Sequence, residues 1–241
     1  MASVGSTKRQ SGIFCERCPV LESVLYSGLS SAQVSALACV FRPSTYRKNQ
    51  ILFFEGGAAQ RVFALRSGLI KVVKSLENGK ERITRVVYPG ELLGIEALSE
   101  STYPVTAVAL RNCSICSASR EEFITFLSSD AGLSLGMIRS LVEEVSRLRA
   151  QVADMSFKDA RMKVATLILS LIQSETAAPS PPYTLHLPFS RQEISEILEL
   201  SPESVSRAFT ALKDEGLLEV RARHLMVRNL DQLRSAARRQ A

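Results

Sequence analysis

The sequence predicts an α+β protein in which a strand-rich N-terminal domain, one long helix and a C-terminal helix-turn-helix domain follow each other along the chain. Short apolar segments separated by regularly spaced glycines predict the strands. Apolar residues at a period of about 3.5 predict the long helix between residues 138 and 155. Two capped helical segments with a short connection, between residues 187 and 220, predict the helix-turn-helix.

Turn signals at regular spacing divide the N-terminal half into short strands. An interval of eleven residues separates Gly57, Gly68, Gly79 and Gly90, and Asn78-Gly79 is a strong signal for a type I′ hairpin turn. The predicted strands are Ile51–Phe54, Val62–Leu65, Leu69–Val73, Ile83–Val87 and Val105–Leu110. This spacing favours an all-β sandwich or barrel over alternating strands and helices.

A seam of apolar residues lies further along the chain, at alternating intervals of three and four residues. The seam consists of Ile138, Leu141, Val145, Leu148, Val152 and Met155. This spacing is that of the contact face of a coiled coil, and no charged residue interrupts it at these positions. We therefore expect the helix to pair with its copy in a homodimer. The alternative is a helix that packs on its own domain.

Two helices with a tight connection are predicted near the C-terminus. Ser190 is suited to cap the first helix, because Glu193 follows three residues later and completes a capping box. Ser201 is suited to cap the second, with Pro202 at the first helical position and Gly216 just past the end. A connection of three residues between two such helices is typical of a helix-turn-helix.

One face of the second helix carries groups that can read DNA bases. Glu203, Ser206 and Arg207 lie at positions i, i+3 and i+4, at the end of the helix that enters the major groove in DNA-binding proteins. Arginine can bind guanine O6 and N7 together, and glutamate can accept from the cytosine amino group. The alternative is an ordinary solvated face. The residues predicted to contact DNA are Ser190, Arg191, Ser201, Glu203, Ser204, Ser206, Arg207, Thr210, Lys213, Arg221 and Arg223.

A β-hairpin wing is predicted after the two helices, with strands at Leu218–Val220 and Leu225–Val227. From residue 221 onward, six arginines stand against one aspartate. By itself such a segment would be a solvated basic tail. Beside a helix-turn-helix it would supply contacts to DNA phosphates.

The segment from residue 190 to residue 220 resembles the DNA-binding helix-turn-helix of the Crp/Fnr transcription regulators. The triplet Glu203, Ser206 and Arg207 is similar to the Fnr branch. The cAMP-receptor branch carries an arginine directly before this glutamate, and Pro202 stands there instead. The resemblance implies a regulator that binds a palindromic double-stranded DNA site with TTGA-type half-sites and contacts RNA polymerase.

The strand-rich segment resembles the cyclic-nucleotide-binding-like β-roll of the same family, including its Phe54-Glu55-Gly56 turn. The resemblance, together with the small, polar and basic composition of residues 1–14, predicts the following division of the chain. Residues 1–14 form a flexible tail, 15–130 a β-roll sensor domain, 131–156 a dimerisation helix and 157–241 a winged helix-turn-helix DNA-binding domain.

The loop from Gly90 to Gly94 is where relatives that bind cyclic nucleotides hold the phosphate. In those relatives a charged arginine follows about ten residues later and pairs with the phosphate. Here the region is occupied by Tyr103 and its neighbours, and the nearest later arginine is Arg111. Cyclic AMP is therefore not expected as a ligand, and the glycines are expected to make the turn.

Two CxxC pairs, Cys15/Cys18 and Cys113/Cys116, are the residues best suited to bind a metal. Paired thiolates at this spacing hold zinc or an iron–sulfur cluster, form a redox-active disulfide, or are unrelated thiols. Residues three apart on a straight strand point to opposite faces. Cys113 and Cys116 would therefore reach one site only if the chain bends near residues 112–114.

The resemblance to Fnr-type oxygen sensors implies one [4Fe–4S] cluster per chain. In those proteins N-terminal cysteines and one cysteine from a strand of the β-roll bind the cluster, and Cys15, Cys18 and Cys116 stand at such places. The family has a further N-terminal cysteine that is missing near Val24. We expect Cys113 to compensate for it. Without a bend, the fourth ligand would be a different group, and the candidates are Glu16 and Glu22.

The fifth cysteine, Cys39, lies in a segment with helical spacing of apolar residues, and we expect it to be a small buried hydrophobe. The net charge of +6 and the pI near 9.2 suit a polyanionic partner. No apolar run approaches the roughly 18 residues of a membrane span, and no secretory signal is recognisable, so we expect a cytoplasmic protein without a membrane partner. With two histidines and no nucleotide-binding or nucleophile motif, an enzyme is not expected.

The sequence therefore predicts a sequence-specific DNA-binding transcription regulator that responds to oxygen or redox state through a cysteine-bound iron–sulfur cluster. One alternative is a regulator of the same family that senses haem or a small effector and binds no cluster. A second alternative, from another class, is a thiol redox or zinc protein that uses the CxxC pairs.

Overall fold

The computed structural model describes residues 30–175 and 182–238. Helix α1 spans Ser31–Val40, and eight strands follow. Strands β1 to β8 are Arg42–Tyr46, Ile51–Phe53, Arg61–Ser67, Ile70–Ser75, Glu81–Val87, Leu92–Leu93, Thr106–Ala109 and Cys113–Ser119. They form two four-stranded antiparallel sheets, with the orders β1-β8-β3-β6 and β2-β7-β4-β5. The predicted all-β N-terminal domain is confirmed.

The hairpin β4–β5 turns at Asn78-Gly79, but its turn type differs from the predicted one. A type I′ turn needs a positive φ at both central residues. Here Gly79 has a φ of 76°, and Asn78 is not among the described residues with positive φ. The Gly79 N–H donates to the Leu76 carbonyl at 2.9 Å, and the Leu76 N–H donates to the Lys80 carbonyl at 2.8 Å. The hairpin loop is therefore longer than the two-residue loop of a type I′ turn. Its last residue, Gly79, has a left-handed conformation and follows a turn whose other residues have negative φ.

Helices cover one side of the roll. Helix α2 spans Arg120–Ser128, contacts β8 and β3, and packs against α1 through an edge-to-face contact between the rings of Phe41 and Phe123, whose centroids are 5.5 Å apart. A capping box between Ser119 and Glu122 begins α2. The Cys39 side chain on α1 is exposed. The expectation that Cys39 is buried is therefore wrong, because α1 turns other side chains, including Leu37, into the core.

Helix α3 spans Ala131–Phe157 and is the longest helix described. Its first turns bury Leu133 and Met137 in the core of the roll. Further along, the predicted seam is exposed to solvent in the single chain: Ile138, Leu141 and Val145 are 56%, 39% and 45% exposed. The side chains of the other three seam residues lie outside the described part of the chain; they are Leu148, Val152 and Met155. None of the described helices is long and apolar enough to span a lipid bilayer.

In the described residues after Phe157, four helices and a three-stranded sheet form the C-terminal domain. Its elements are α4 (Ala160–Gln173), β9 (Tyr183–His186), α5 (Arg191–Leu198), α6 (Pro202–Asp214), β10 (Leu218–Arg221), β11 (His224–Val227) and α7 (Leu230–Ala236). The sheet order is β10-β11-β9, and α4 packs against both α6 and α7. Helix α7 shows that part of the basic C-terminal segment is folded, since Leu233 is fully buried and Arg234 bonds Asp231 on its own helix at 2.9 Å.

The first helix of the helix-turn-helix is docked on the β4–β5 hairpin of the roll. Glu193 and Glu196 on α5 and Glu199, which caps its C-terminal end, follow each other at intervals of three residues. The Lys71 ammonium bonds Glu193 at 2.9 Å, the Ile83 N–H donates to Glu196 at 3.5 Å, and the Arg82 guanidinium bonds Glu199 at 2.9 Å. Apolar residues of the roll also join the core of the C-terminal domain; they are Leu69, Val86 and Leu110.

The strength of the contact between α5 and the roll can be measured through the ion pair between Lys71 and Glu193. In a double-mutant cycle of Lys71→Met and Glu193→Gln, we expect a coupling of about 1 kcal/mol in the free energy of unfolding by urea, since both side chains are mostly shielded from water. The exposed pair of Arg82 and Glu199 serves as the control, with an expected coupling below about 0.5 kcal/mol. Equal couplings in the two cycles would contradict the proposed difference in shielding.

Candidate nucleic-acid interface and sensor site

The exposed face of α6 carries the side chains that were predicted to read bases. Glu203, Ser206 and Arg207 are exposed near the start of the helix, and Thr210 and Lys213 continue the face toward its end. The opposite face is buried in the domain core through Val205, Ala208, Phe209 and Leu212. Pro202 occupies the first turn, and Gly216, with a φ of 73°, follows the end of the helix as predicted. The caps and the apolar stripe thus orient α6 with its polar face outward.

Glu203 and Arg207 are held one turn apart with opposite charges. The pKa of Glu203 is lowered, first by its own backbone N–H, then by the Ser201 side chain and the positive charge of Arg207. The Arg207 guanidinium donates to the Ser204 hydroxyl at 3.3 Å. Glu203 is therefore an anionic acceptor suited to a cytosine amino group, and Arg207 is a donor suited to guanine.

Two of the four serines predicted to contact DNA, Ser190 and Ser201, have structural tasks as well. The Ser190 hydroxyl accepts from the Glu193 N–H, and the Ser201 hydroxyl accepts from the Ser204 N–H, both at 3.1 Å. These bonds satisfy N–H groups that have no partner inside the helix. The same positions place hydroxyls at the N-termini of α5 and α6, where a phosphate would be bound.

Arg191 is the predicted DNA contact whose placement differs most from expectation. Its guanidinium carbon lies 3.3 Å from the centroid of the buried Phe209 ring. Its Nη1 is buried, and no described residue accepts a hydrogen bond from it. Burial lowers the pKa of Arg191. Arg191 therefore packs beneath the recognition helix as a cation–π partner instead of extending to the DNA.

The predicted wing is present as the hairpin β10–β11. Leu218 pairs with Val227, and the turn places Ala222 in the left-handed region with a φ of 55°. Arg221 and Arg223 flank that turn and are exposed. Their guanidinium groups are thus available for phosphate contacts beside α6.

Cys113 and Cys116 lie on one straight strand. Strand β8 pairs with β1 without interruption from Cys113, opposite Tyr46, to Cys116, opposite Pro43. The Cys113 thiol is buried and donates to the carbonyls of Leu69, at 3.4 Å, and Arg111, at 3.2 Å. Burial raises the pKa of the Cys113 thiol.

Cys116 lies on the other face of the strand. It pairs with Ala64, whose neighbour Phe63 stacks on Phe53 of the second sheet at 5.6 Å. Phe63 thus points between the sheets, and Cys116 points outward, on the side of α2. The expectation that Cys113 joins Cys116 at one site is wrong, because the strand does not bend.

The remaining candidate ligands, Cys15, Cys18, Glu16 and Glu22, lie outside the described residues. Within the described ranges, no group of three or more His, Cys, Asp or Glu side chains is placed to hold a metal ion. Of the candidate ligands in the described residues, Cys116 thus stays a candidate, because Cys113 lies on the opposite face of β8.

Aromatic rings fill the interior of the roll beside the loop at residues 90–94. The rings of Phe53 and Tyr103 are stacked with centroids 4.0 Å apart. The Tyr103 hydroxyl donates to the Arg61 carbonyl at 2.7 Å and accepts from the Arg61 N–H at 3.0 Å. A Cβ on Gly94 would come within 3.2 Å of Tyr103, so the loop needs this glycine. Arg111 points away, to Glu175 and the His186 carbonyl.

Comparison with known proteins places both parts of the chain in one family. A model described as "Cyclic nucleotide-binding domain" matches residues 43–130, and one described as "Crp-like helix-turn-helix domain" matches residues 162–236. The two matches agree with the roll and with the domain that contains α5 and α6. The match of the first model identifies the type of domain and does not identify a ligand. In this chain the stacked rings of Phe53 and Tyr103 fill the interior of the roll beside the loop at residues 90–94.

The similarity to two known regulators extends over most of each chain. The chain is 30% identical over 214 residues to the transcriptional activator protein FnrA of Stutzerimonas stutzeri, with 88% of each chain covered. It is 26% identical over 226 residues to the fumarate and nitrate reduction regulatory protein of Escherichia coli, covering 93% of this chain and 90% of that protein.

Two solved structures resemble most of the chain in fold. The structure of FixK2 from Bradyrhizobium japonicum is 25% identical with a TM-score of 0.68, covering 84% of this chain and all of that one. A putative cyclic nucleotide binding protein from Ruegeria pomeroyi is 25% identical with a TM-score of 0.74, covering 90% and 95% of the two chains. Together with the roll, the Crp-like helix-turn-helix and the exposed triplet on α6, these likenesses show that the chain belongs to the Crp/Fnr family of transcription regulators.

Proposed function

We propose that this protein is a homodimeric regulator of the Fnr branch that binds a palindromic site with TTGA-type half-sites. The observation that carries this proposal is the exposed face formed by Glu203, Ser206 and Arg207 at the start of α6. In this position the two charged groups can read guanine and cytosine edges in the major groove. Such a regulator would act in the cytoplasm, and RNA polymerase is its expected protein partner.

The dimer is supported by the apolar stripe on α3. Side chains as large as Ile138 and Val145 are half exposed in the single chain, although the same helix buries Leu133 and Met137 in its own domain. A second copy of α3 would cover this stripe in the manner of a coiled coil. The two-fold axis would then present two copies of α6 to one side of the DNA.

Selection of binding sites tests the DNA-binding proposal directly. Full-length protein, purified without oxygen, would be mixed with duplexes that contain a random central segment, and the bound duplexes would be sequenced. We expect the enriched sequences to be palindromes with TTGA-type half-sites about one helical turn apart. Enrichment of a non-palindromic sequence, or of none, would contradict the proposal.

For the sensor, we infer that Cys15, Cys18 and Cys116 bind one [4Fe–4S] cluster. Thiolates are the ligands that such clusters use, and Cys116 lies on the helix-covered side of the roll, where an N-terminal segment can approach it. The names of the relatives, among them an anaerobic regulatory protein of Haemophilus influenzae, favour an oxygen signal. When bound, the cluster would supply reactivity toward oxygen. With Cys113 withdrawn, Glu16 and Glu22 are the candidates for the fourth ligand.

Replacing the two strand cysteines separately tests this assignment. We expect Cys116→Ser to lower cluster iron and sulfide to the background, because one of three thiolate ligands is removed. Cys113→Ser is the matched control and is expected to retain the cluster, since a serine hydroxyl can donate to the same carbonyls. The measurements are iron, sulfide and zinc analysis and an absorption spectrum after purification without oxygen. Zinc instead of iron, or metal-free protein with unchanged DNA binding, would contradict a cluster.

The signal would reach the DNA through the docked domains. A change at the N-terminal thiols would alter the contact between the roll and α3, and with it the spacing of the two recognition helices. Glu193, Glu196 and the C-cap residue Glu199 tie α5 to the β4–β5 hairpin, so a movement of the roll would also move the helix-turn-helix. An effector other than a cluster, such as haem or a small molecule, would use the same connection.

A further inference from the structure

One buried tyrosine joins three separate segments of the roll. Tyr103 lies between β6 and β7 in the chain and is 4% exposed. Its N–H donates to the Gly57 carbonyl at 2.9 Å, and its carbonyl accepts from the Gly56 N–H at 2.8 Å. Its ring lies against the loop at residues 90–94, and its hydroxyl reaches Arg61 at the start of β3. A single residue therefore holds the turn after β2, this loop and the start of β3 together.

The hydroxyl of Tyr103 takes the place of a strand partner. The Leu65 N–H donates to the Glu91 carbonyl at 3.0 Å, and the Leu65 carbonyl accepts from the Gly90 N–H at 2.8 Å. Alternate residues of a strand direct these groups to the same edge, so Arg61 directs its N–H and carbonyl to the same side as Leu65. The Tyr103 hydroxyl bonds both groups of Arg61, at 3.0 Å and 2.7 Å. Without it, both groups would need another partner.

The ring of Tyr103 is packed between aromatic rings and the loop. Its centroid lies 4.0 Å from that of Phe53 with the rings nearly parallel, and Phe53 stacks in turn on Phe63 at 5.6 Å. On the side of the loop, a Cβ on Gly94 would come within 3.2 Å of both Tyr103 and Phe63. A stacked ring with one hydroxyl that makes two hydrogen bonds is how a small phenol would be held in an apolar pocket.

The packing around Tyr103 continues to the start of the long helix. A short 3₁₀ helix, Ile95–Leu98, follows the loop and contacts both β3 and α2. Helix α2 contacts α3, and Leu133 and Met137 of α3 belong to the same hydrophobic core as Tyr103. A closely packed interior transmits a displacement from one side to the other. The position of the Tyr103 ring is therefore coupled to the helix that we assign to the dimer.

We propose that Tyr103 is a built-in ligand of the roll, and that it holds the roll and α3 in the arrangement that binds DNA. The DNA-binding part of this inference rests on the proposed function of the helix-turn-helix. A free ligand would have to displace a ring that the chain itself keeps at high effective concentration. The interior of the roll is thus set without a nucleotide, and the signal enters at another surface.

Removal of the side chain, and its return as a free molecule, test the proposal. We expect Tyr103→Ala to lower the Tm of the full-length protein by about 10 °C. The lost group corresponds to p-cresol, which at about 5 mM should raise the Tm of this variant by about 4 °C. Toluene is the matched probe, because it fills the same space but cannot bond Arg61, and it should raise the Tm less. Neither compound should raise the Tm of the unchanged protein.

DNA binding separates a ligand role from a purely structural one. Well below the Tm, we expect Tyr103→Ala to bind the selected palindrome about tenfold more weakly, since the competent arrangement would be populated to about a tenth. Addition of p-cresol should restore the affinity to within about threefold of the unchanged protein. Ile115→Ala is the matched control, because Ile115 is fully buried between the same two sheets and lies outside the ring stack. It should lower the Tm comparably and leave the affinity within about twofold.

Tyr103→Leu is a second variant, which fills most of the space but has neither ring nor hydroxyl. It should fold with a smaller loss of Tm and still bind the palindrome about tenfold more weakly. Because its site is filled, p-cresol should have no effect on it. DNA binding like that of the unchanged protein would overturn the proposal.

Three further results would also overturn it. They are an equal loss of affinity in Tyr103→Ala and Ile115→Ala, a restored Tm without restored affinity in p-cresol, and binding of cyclic AMP by the unchanged protein in equilibrium dialysis. Failure of the unchanged protein to prefer the palindrome over a scrambled duplex of equal length would instead refute the proposed function. The response of the Tm to p-cresol would still test whether the site of the Tyr103 side chain accepts a free ligand.

Discussion

Arg207→Ala is expected to abolish the preference for a TTGA-type half-site over one in which the contacted guanine pair is changed. A bidentate contact between arginine and guanine is worth about 1–3 kcal/mol of discrimination, and a palindrome contains the contact twice. The ratio of affinities for the two sites should therefore fall by about 30-fold or more. The measurement is equilibrium binding of each variant to the selected palindrome and to single-base changes of it, at one fixed salt concentration.

Lys213→Ala provides the contrast for this prediction. Lys213 is exposed in the last turn of the same helix, where we expect its ammonium to contact phosphates and not bases. We expect its removal to weaken binding to all duplexes by a similar factor and to leave the preference intact. If Arg207→Ala also weakened all sites equally, the readout assigned to Arg207 would be wrong. Glu203→Gln should relax the preference at a different base, because the amide adds donors where the carboxylate only accepts.

The second large effect is expected from Ile138→Glu on α3. Ile138 is 56% exposed in the single chain and belongs to the stripe that we assign to the dimer contact. A carboxylate there would be buried in an apolar interface twice per dimer, at a cost of several kcal/mol. We therefore expect a monomer by sedimentation at micromolar concentrations. Affinity for the palindrome should fall at least about a hundredfold, since a monomer contacts a single half-site.

Ser146→Glu is the matched control on the same helix. Ser146 is exposed and lies one position after Val145, outside the seam. Its replacement should leave both the dimer and the affinity for DNA unchanged. A dimer that survives Ile138→Glu would mean that another surface joins the two copies, and the role proposed for the α3 stripe would have to be abandoned.

The helix-turn-helix could be predicted from the sequence because its signals are local. The capping box joins Ser190 to Glu193 over three residues, and the buried stripe of α6 follows from the period of the helix. The same local rules placed five strands of the roll between its turns. They could not give the turn type at Asn78-Gly79, because the flanking strands set the length of the loop.

The family was predicted from the sequence for a related reason. Glu203, Ser206 and Arg207 need only one regular helix to share a face, so their spacing carries the chemistry without knowledge of the rest of the fold. The structure adds that these three residues of α6 are exposed to solvent. It also shows that α5 is bound to the β4–β5 hairpin of the roll through Glu193, Glu196 and Glu199.

The sequence by itself thus determined the two helices of the helix-turn-helix, their caps and the residues on the exposed face of α6, because each depends on neighbours within one or two helical turns. Tertiary structure alone decided where Arg191, Cys39 and Cys113 point. The face of the sheet on which Cys113 lies depends on how β8 pairs with β1. In that pairing Cys113 is opposite Tyr46, which is distant in the sequence. The direction of an arginine at the start of α5 depends on which ring packs beneath it. Tertiary structure also brought the Arg111 guanidinium of the roll to the His186 carbonyl on β9, since contacts between domains leave no period in the sequence.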